Sequence, residues 1–330
     1  MTAPHQHHLS RICRPRVRAR CGALAAALVG AVAVALMGCS GVGAAAPGSE
    51  AVLAASKTTA LAVIQEDNAA ELAEQEQAQT GEQTREAAEE TAGQTSATAQ
   101  EELDRAVGAL EAKGMSVSYI VLDIATDATI EHNADAVYYS ASSIKGPFCV
   151  SMVRALGSKA REQYGDTIRA CLVNSDNDAY RTLRKSTYGQ TFFRDFGAEA
   201  GVSINLGRWY ANYSVRELAK LWSVADRWLV SGSEDAAWTG DLLGDTLNSQ
   251  VNDLAGGNGI TTWSKAGWYP GGDEGAVTFD GGAVHAPTGD YAIAVAVNRG
   301  SDFQAVRSIM EPLVALHNAQ ATAADAGGTE

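Results

Sequence analysis

The sequence predicts an α+β fold: an antiparallel sheet flanked by helices, with a small helical subdomain inserted. Three observations lead to this prediction. A helical segment and a hairpin open the globular part of the chain near residue 100, a long helical block follows, and strands and a final helix close it. Helices grouped between strands, without regular strand–helix alternation, are typical of α+β domains.

The first elements are a helix and a hairpin. Residues 101–112 carry apolar side chains at helical spacing. Residues 116–124 are rich in β-branched and apolar types, and residues 129–132 are placed to pair with them across a short turn at 125–127.

The middle and the end of the chain differ in their predicted secondary structure. The middle favours helix in five segments, namely 142–156, 166–183, 192–197, 215–229 and 236–247. The end favours three strands and a helix bent near Pro312, namely 259–268, 276–285, 291–298 and 301–317.

The N-terminus predicts export. Five arginines between residues 11 and 20 precede an uncharged stretch at 22–37, which is shorter than a membrane-spanning helix. Leu36-Met37-Gly38-Cys39 then resembles a bacterial lipobox, although Met37 is unusual there. We expect a signal peptide over 1–38 and a lipid anchor on Cys39. The alternative is an ordinary secretory signal followed by an incidental cysteine.

The domain boundaries follow from composition. Residues 39–99 are rich in Ala, Glu, Gln and Thr without a sustained apolar heptad, which favours a partly helical, partly disordered stalk over a coiled coil or a separate module. The catalytic domain is expected over 100–319, and a loose tail over 320–330.

Charge and cysteine content limit which partners the protein is expected to bind and in which compartment it is expected to fold. The net charge of −14 becomes −19 once the five arginines leave with the signal, so binding to nucleic acid is not expected. Cys149 and Cys171 then form an even pair in an oxidising compartment, which makes them a candidate disulfide. Two packed free thiols are the alternative.

Metal chemistry finds no support in the sequence. His132, His285 and His317 are the histidines beyond the signal, and no cluster of His, Cys and Asp has ligand spacing. We expect neither a metal nor a cofactor.

Three short motifs carry the chemistry. Ser142 and Lys145 lie three residues apart on a predicted helix, so the hydroxyl and a potential base share a face. Ser175-Asp176-Asn177 and Lys265-Ala266-Gly267 follow in order. Taken singly, each motif has a plain structural explanation, such as a capping serine, a polar turn or a solvated lysine on a strand.

Together the motifs resemble Ser-x-x-Lys, Ser-Asp-Asn and Lys-Thr-Gly, the set of class A β-lactamases and penicillin-binding proteins. The residues around the nucleophile (138–147) and the preceding run at 121–126 are also similar to that superfamily. The resemblance covers about residues 101–317 and implies a β-lactamase/transpeptidase-like fold.

The resemblance implies a role for each matching residue. Ser142 would attack a carbonyl, Lys145 would take its proton, and Ser175 would pass a proton to the leaving nitrogen. Lys265 would attract a substrate carboxylate, and Ala266 and Gly267 would complete the same side of the substrate-binding site. Asn177 would hold the substrate amide, and the backbone amides of Ser142 and Trp268 would form an oxyanion hole. Asp176 is expected to be structural.

Three departures from the family pattern limit the expected activity. Ala266 replaces the Thr or Ser that supplies a hydroxyl to the substrate carboxylate. The span from Ser142 to Ser175 is short, which implies a trimmed helical subdomain. Residues 205–213 contain no carboxylate where class A enzymes place the glutamate that activates the deacylating water, and Glu217 lies inside the next predicted helix.

We therefore expect a monomeric, extracytoplasmic, lipid-anchored serine hydrolase that forms an acyl-enzyme with β-lactams or D-alanyl peptides. Efficient β-lactamase turnover is in doubt because of the missing glutamate. Two alternatives remain open: a D,D-peptidase-like enzyme with slow β-lactam turnover, and a non-catalytic lipoprotein that binds the cell wall.

Overall fold

The computed structural model describes residues 49–257, 259–287 and 289–327, with most side chains between residues 77 and 324. The predicted signal peptide and the Cys39 anchor lie outside the described residues. The chain divides into two compact units, residues 1–74 and 75–330. In the first unit, residues 49–74 are helical. Across the described residues, no helix is both long enough and apolar enough to traverse a bilayer.

The helices of the described residues are α1 (Ser49–Glu111), α2 (Lys145–Leu156), α3 (Ser158–Leu172), α4 (Asn177–Ser186), α5 (Phe192–Glu199), α6 (Val215–Leu229), α7 (Glu234–Gly244), α8 (Gln250–Ala255) and α9 (Phe303–Gly327). The strands are β1 (Val117–Asp123), β2 (Thr129–His132), β3 (Val137–Tyr139), β4 (Asn212–Ser214), β5 (Thr261–Ser264), β6 (Gly267–Tyr269), β7 (Val277–His285) and β8 (Tyr291–Val297). A 3-10 turn, Ala141–Ile144, leads into α2.

The main sheet is antiparallel, with strand order β2-β1-β8-β7-β5 and with β6 also paired to β7. The predicted hairpin is confirmed, since Tyr119 pairs with His132 and Leu122 with Thr129. A separate two-stranded sheet joins β3 to β4. The sequence therefore predicted the fold class and the order of the large elements correctly.

Two cores bury the two faces of the sheet. One contains Leu103 and Val107 of α1, Leu313 of α9 and the side chains of β1 and β8 that point toward them. The other packs α2, α4 and α6 against the opposite face. Strands β7 and β8 are buried almost throughout because both faces are covered by helices.

Four sequence predictions require correction. The helix predicted over 166–183 is broken at residues 173–176, where Ser175 is left-handed (φ 56°) and Asp176 caps α4. The strand predicted over 259–268 is interrupted at Lys265 and Ala266.

The other two corrections concern helix bounds. Helix α9 continues to Gly327, beyond residue 317, where the predicted helix ends. Helix α3 begins at Ser158, before residue 166, where the predicted helix starts. The short elements β3, β4 and α8 were not predicted.

Candidate active site

Ser142 lies in the 3-10 turn at the start of α2 and is partly exposed, whereas its neighbours in the turn are buried. Ala141 has φ 45°, an uncommon backbone conformation for a residue with a side chain. The turn is fixed by the buried Ser143 hydroxyl, which lies 2.5 Å from the Ser140 carbonyl and 2.6 Å from the Tyr213 hydroxyl. These contacts hold the Ser142 side chain at the surface of a rigid turn.

Lys145 is fully buried one turn further along the chain. Its Nζ donates to the Ser175 carbonyl oxygen at 2.7 Å and to Asn177 Oδ1 at 2.8 Å. Within the described residues it makes no hydrogen bond to Ser142, a contact that often tightens only when substrate binds. Burial lowers the pKa of Lys145, which increases the fraction of neutral amine that can accept a proton.

The Ser175-Asp176-Asn177 motif lies between α3 and α4. Ser175 Oγ is buried and makes no hydrogen bond with the residues described here. Asp176 accepts hydrogen bonds from the amides of Asp178 and Ala179, so it caps α4, as expected for a structural role. Asn177 Oδ1 accepts from Lys145 and also from the Tyr210 hydroxyl at 3.1 Å.

Lys265 is also fully buried, and its Nζ donates to the Ala266 carbonyl oxygen at 2.8 Å. Burial, followed by the neighbouring charge of Lys145, lowers the pKa of Lys265 to about 8. The side chain of Ala266 is fully buried as well, so it presents no surface to a ligand in this structure.

Gly267 allows β6 to approach the nucleophile turn. A Cβ at this position would lie 2.6 Å from the Ser142 amide nitrogen and closer still to that of Ser143. Only a residue without a side chain fits there. The next residue, Trp268, is half-buried, and its ring packs edge-on against Phe303 at 5.2 Å. The close approach places the backbone after Gly267 beside Ser142.

The segment at 205–213 contributes aromatic rings and no carboxylate. The Tyr180 hydroxyl donates to the Trp209 carbonyl at 2.7 Å, and the Tyr210 ring packs on Tyr139 and Tyr180. Glu217 completes a capping box with Ser214 at the start of α6. Its carboxylate is therefore engaged by the helix end.

The predicted Cys149–Cys171 disulfide is absent from the structure. The two cysteines are free and buried, and their sulfurs are 3.8 Å apart, compared with about 2 Å in a disulfide. The alternative of two packed thiols therefore describes the structure, because α2 and α3 bring both residues into the core without a covalent bond.

The histidines take up structural contacts. His132 lies 3.1 Å from Glu111, His285 lies 2.6 Å from Asp290, and His317 packs on Tyr291. Within the described part of the chain, no group of three or more His, Cys, Asp or Glu side chains is arranged to hold a metal ion.

Sequence reasoning missed the support beneath the site. The Tyr180 ring packs against Lys145, whose Nζ lies 5.7 Å from the centre of the ring. The Trp222 ring and the Cβ of Lys265 pack so closely on Gly146 that a side chain at that position would clash with them. Tyr180 and Arg184 follow Asp176 at intervals of four, so they share one helix face. That spacing was the available signal.

The described residues thus define an α+β domain that brings a partly exposed serine, two buried lysines and a polar turn to one place. No protein-family model matches the sequence, and no curated protein matches it. Solved structures do resemble it.

A β-lactamase from Sphaerobacter thermophilus matches with TM-score 0.53 and 21% identity, covering 66% of this chain and 97% of its own. β-Lactamases from Desulfarculus baarsii and Chitinophaga pinensis match with TM-scores of 0.52 and 0.51, each at 13% identity. They cover 66% and 67% of this chain, and 97% and 99% of their own. The chain therefore has the β-lactamase/transpeptidase-like fold that its motifs predicted.

Proposed function

We propose that this protein is a serine acyl hydrolase that forms an acyl-enzyme on Ser142 with β-lactams or D-alanyl peptides. One observation carries the proposal. The buried Lys145 amine, one helical turn from Ser142, is hydrogen bonded to both Ser175 and Asn177. Residues of two motifs that are distant in the chain thus meet at one potential base, which lies one turn from the proposed nucleophile.

Acylation would use groups from all three motifs. Ser142 Oγ attacks the substrate carbonyl carbon while Lys145 accepts the hydroxyl proton. The amides of Ser142 and Trp268 receive the developing oxyanion. The carbonyl carbon–nitrogen bond then breaks, and the unpartnered Ser175 hydroxyl relays a proton to the leaving nitrogen. Lys265, in its charged form, attracts the substrate carboxylate.

Deacylation has weaker support. A water must attack the ester and lose a proton, yet residues 205–213 hold no carboxylate and Glu217 is bound in a helix cap. Burial raises the pKa of Tyr210 to about 12, so its hydroxyl is protonated at neutral pH and is a poor base. This observation favours a D,D-peptidase-like enzyme with slow β-lactam turnover over an efficient β-lactamase.

The test is a time course of intact-protein mass after mixing with benzylpenicillin. We expect an adduct of the mass of the penicillin that persists for many minutes in the parent protein. The Ser142→Ala variant should give none. Rapid consumption of penicillin without a visible adduct would support an efficient β-lactamase instead. If no reaction occurs and penicillin binding survives Ser142→Ala, the result would favour a non-catalytic protein that binds the cell wall.

We further propose that the protein is exported and anchored to the outer face of the membrane through lipid on Cys39. The support is the basic block, the apolar stretch and the run Leu36–Cys39 in the sequence. In a bacterial host, the mature protein should partition into detergent, and Cys39→Ser should move it to the aqueous phase. A mature N-terminus at any other residue would contradict the anchor.

A further inference from the structure

A cavity lined in part by Leu206, Gly207 and Trp209 of segment 205–213 has unusual electrostatics. It has a volume of about 170 Å³ and is lined by α2, α4, α5 and the loops between them. Its charged lining residues are Arg184 and Arg194, and none of its lining residues is acidic. In a chain with a net charge of −14, a local site with only positive charge calls for an explanation.

Arg184 is 8% exposed, yet it lacks a carboxylate partner among the described residues. Its Nη2 donates to the carbonyl oxygens of Leu206 at 3.2 Å and Gly207 at 2.9 Å. Its Nε and Nη1 make no hydrogen bond to the described residues. Buried charges are normally paired, so a guanidinium at a cavity wall without a carboxylate partner among the described residues leaves room for an anion from outside the chain.

Several arginines elsewhere in the described structure pair with carboxylates, namely Arg154 with Glu199, Arg161 with Glu234, Arg208 with Glu274, and Arg216 with Glu131 and Asp135. Arg194 is exposed, lines the cavity and forms no ion pair with any described residue. Neither arginine of the cavity therefore has a carboxylate partner among the described residues.

The rest of the wall is apolar and aromatic. The guanidinium of Arg184 lies 5.0 Å from the ring centre of Phe148 and 5.9 Å from that of Phe193, and Phe192, Leu206 and Trp209 line the same space. An apolar cavity of about 150 Å³ is large enough to hold a benzene molecule. The volume and the wall together fit a planar apolar body with one anionic group.

We propose that this cavity binds a small organic carboxylate with an aromatic or similarly planar apolar body. Nη2 belongs to both bidentate edges of a guanidinium and already donates to Leu206 and Gly207, so the carboxylate would accept a single charge-assisted hydrogen bond from Arg184 Nη1. Arg194 would add attraction at the mouth, and the aromatic wall would hold the apolar body.

The test uses benzoate as the probe, titrated into the full chain by calorimetry. We expect benzoate to bind at least tenfold more tightly than benzamide, which has the same shape without the charge. Inorganic phosphate, which has the charge without the ring, should also bind at least tenfold more weakly than benzoate. Phosphate binding equal to benzoate would overturn the aromatic part of the proposal, and no benzoate binding would overturn all of it.

Variants locate the binding. Arg184→Lys keeps the charge but loses the planar guanidinium and its Nη1 donor, and should weaken benzoate binding about tenfold. Arg194→Glu changes an exposed side chain and should weaken it at least fivefold without lowering the melting temperature, which keeps the test decisive if Arg184→Lys misfolds. Arg227→Glu, which makes the same charge change outside the cavity, should have no effect.

One further variant separates this cavity from the candidate active site. Lys265→Gln should leave benzoate affinity unchanged, because Lys265 does not line the cavity. If Lys265→Gln abolishes binding while both cavity variants retain it, benzoate occupies the active site and the proposal is wrong.

Discussion

Two regions adjoin Ser142, and they are built differently. The first consists of α2, the start of α4 and β6, where Lys145, Lys265 and Gly267 are buried and held by short contacts. The second is segment 205–213, where Tyr210 is half-buried, Arg208 is exposed and no side chain carries a negative charge. Under the proposed function, the first region would form the ester, and the second would have no carboxylate to activate the water that hydrolyses it.

The proposed function assigns the two steps of the reaction to these two regions. The proposed acyl-forming groups lie on helices and a sheet edge, where packing fixes them. The groups that activate water would come from a loop, and loops accept changes of residue with little cost to the fold. The predictions that follow test each region separately.

The largest effect is expected at Lys145. Replacing it with Met preserves volume and removes the base, so the rate of penicilloyl formation should fall about a thousandfold, within the usual range for general base catalysis. Mass spectrometry of samples quenched at successive times measures the rate of penicilloyl formation, and the melting temperature shows whether the variant is folded. A fall of less than tenfold in a folded protein would show that Lys145 is not the base.

A second test concerns the close approach of β6. Gly267→Ala would push the strand away from the amides of Ser142 and Ser143, so acylation should slow about a hundredfold, as when an oxyanion donor is lost. The matched control is Gly108→Ala on the exposed face of α1, where an added Cβ meets nothing within 4 Å. If both variants acylate at the parent rate, the oxyanion assignment fails.

The loop region can be tested by adding what it lacks. The Tyr210 hydroxyl reaches Asn177, so Tyr210→Glu would place a carboxylate at the edge of the site. Deacylation should then accelerate roughly tenfold, below the full range for a base because its position is not tuned. Tyr188→Glu, on a side chain that is 89% exposed, is the control. Equal adduct lifetimes in both variants and the parent would show that the missing base is not what limits turnover.

Sequence alone predicted much of this architecture, for identifiable reasons. Helix α6 was predicted over the residues it occupies because segment 215–229 favours helix, and the structure adds a capping box of Ser214 and Glu217 at its start. The hairpin of β1 and β2 was predicted because residues 116–124 are rich in β-branched and apolar types and a short turn separates them from residues 129–132. In these elements the local signals and the tertiary packing point to the same structure.

The errors fall where tertiary contacts override local preference. Residues 166–183 have helical periodicity, but the backbone leaves the helix at Ser175 to bring its carbonyl to Lys145. Residues 259–268 have strand composition, but the sheet is interrupted at Lys265, whose Nζ folds back on Ala266. Both interruptions lie in the candidate site, where function is expected to break local rules.

The three motifs supplied the candidate site residues, but no local pattern revealed their surroundings. The position of Tyr180 beneath Lys145 depends on how α4 packs on α2. The burial of Ala266 depends on how β6 meets the nucleophile turn. These facts arise from contacts between residues far apart in the chain, and they decide which groups a substrate can reach.

The smallest expected effect is a change of the acylation rate with pH, which distinguishes the role of Lys265 from that of Lys145. Lys265 has a pKa of about 8, so it is charged below that pH and neutral above it. If its charge attracts the substrate carboxylate, acylation by benzylpenicillin should fall about fourfold between pH 7 and pH 8.5 relative to its methyl ester, which has no carboxylate. The ratio of the two acylation rates, benzylpenicillin over its methyl ester, cancels the contribution of Lys145, whose lowered pKa affects both substrates alike.

The control variant is Lys265→Arg. It should abolish the fall in this ratio, because guanidinium stays charged throughout the pH range. If the ratio does not change with pH in the parent protein, the substrate carboxylate is held by another group, and the acyl-forming region is less complete than the buried contacts of Lys265 indicate.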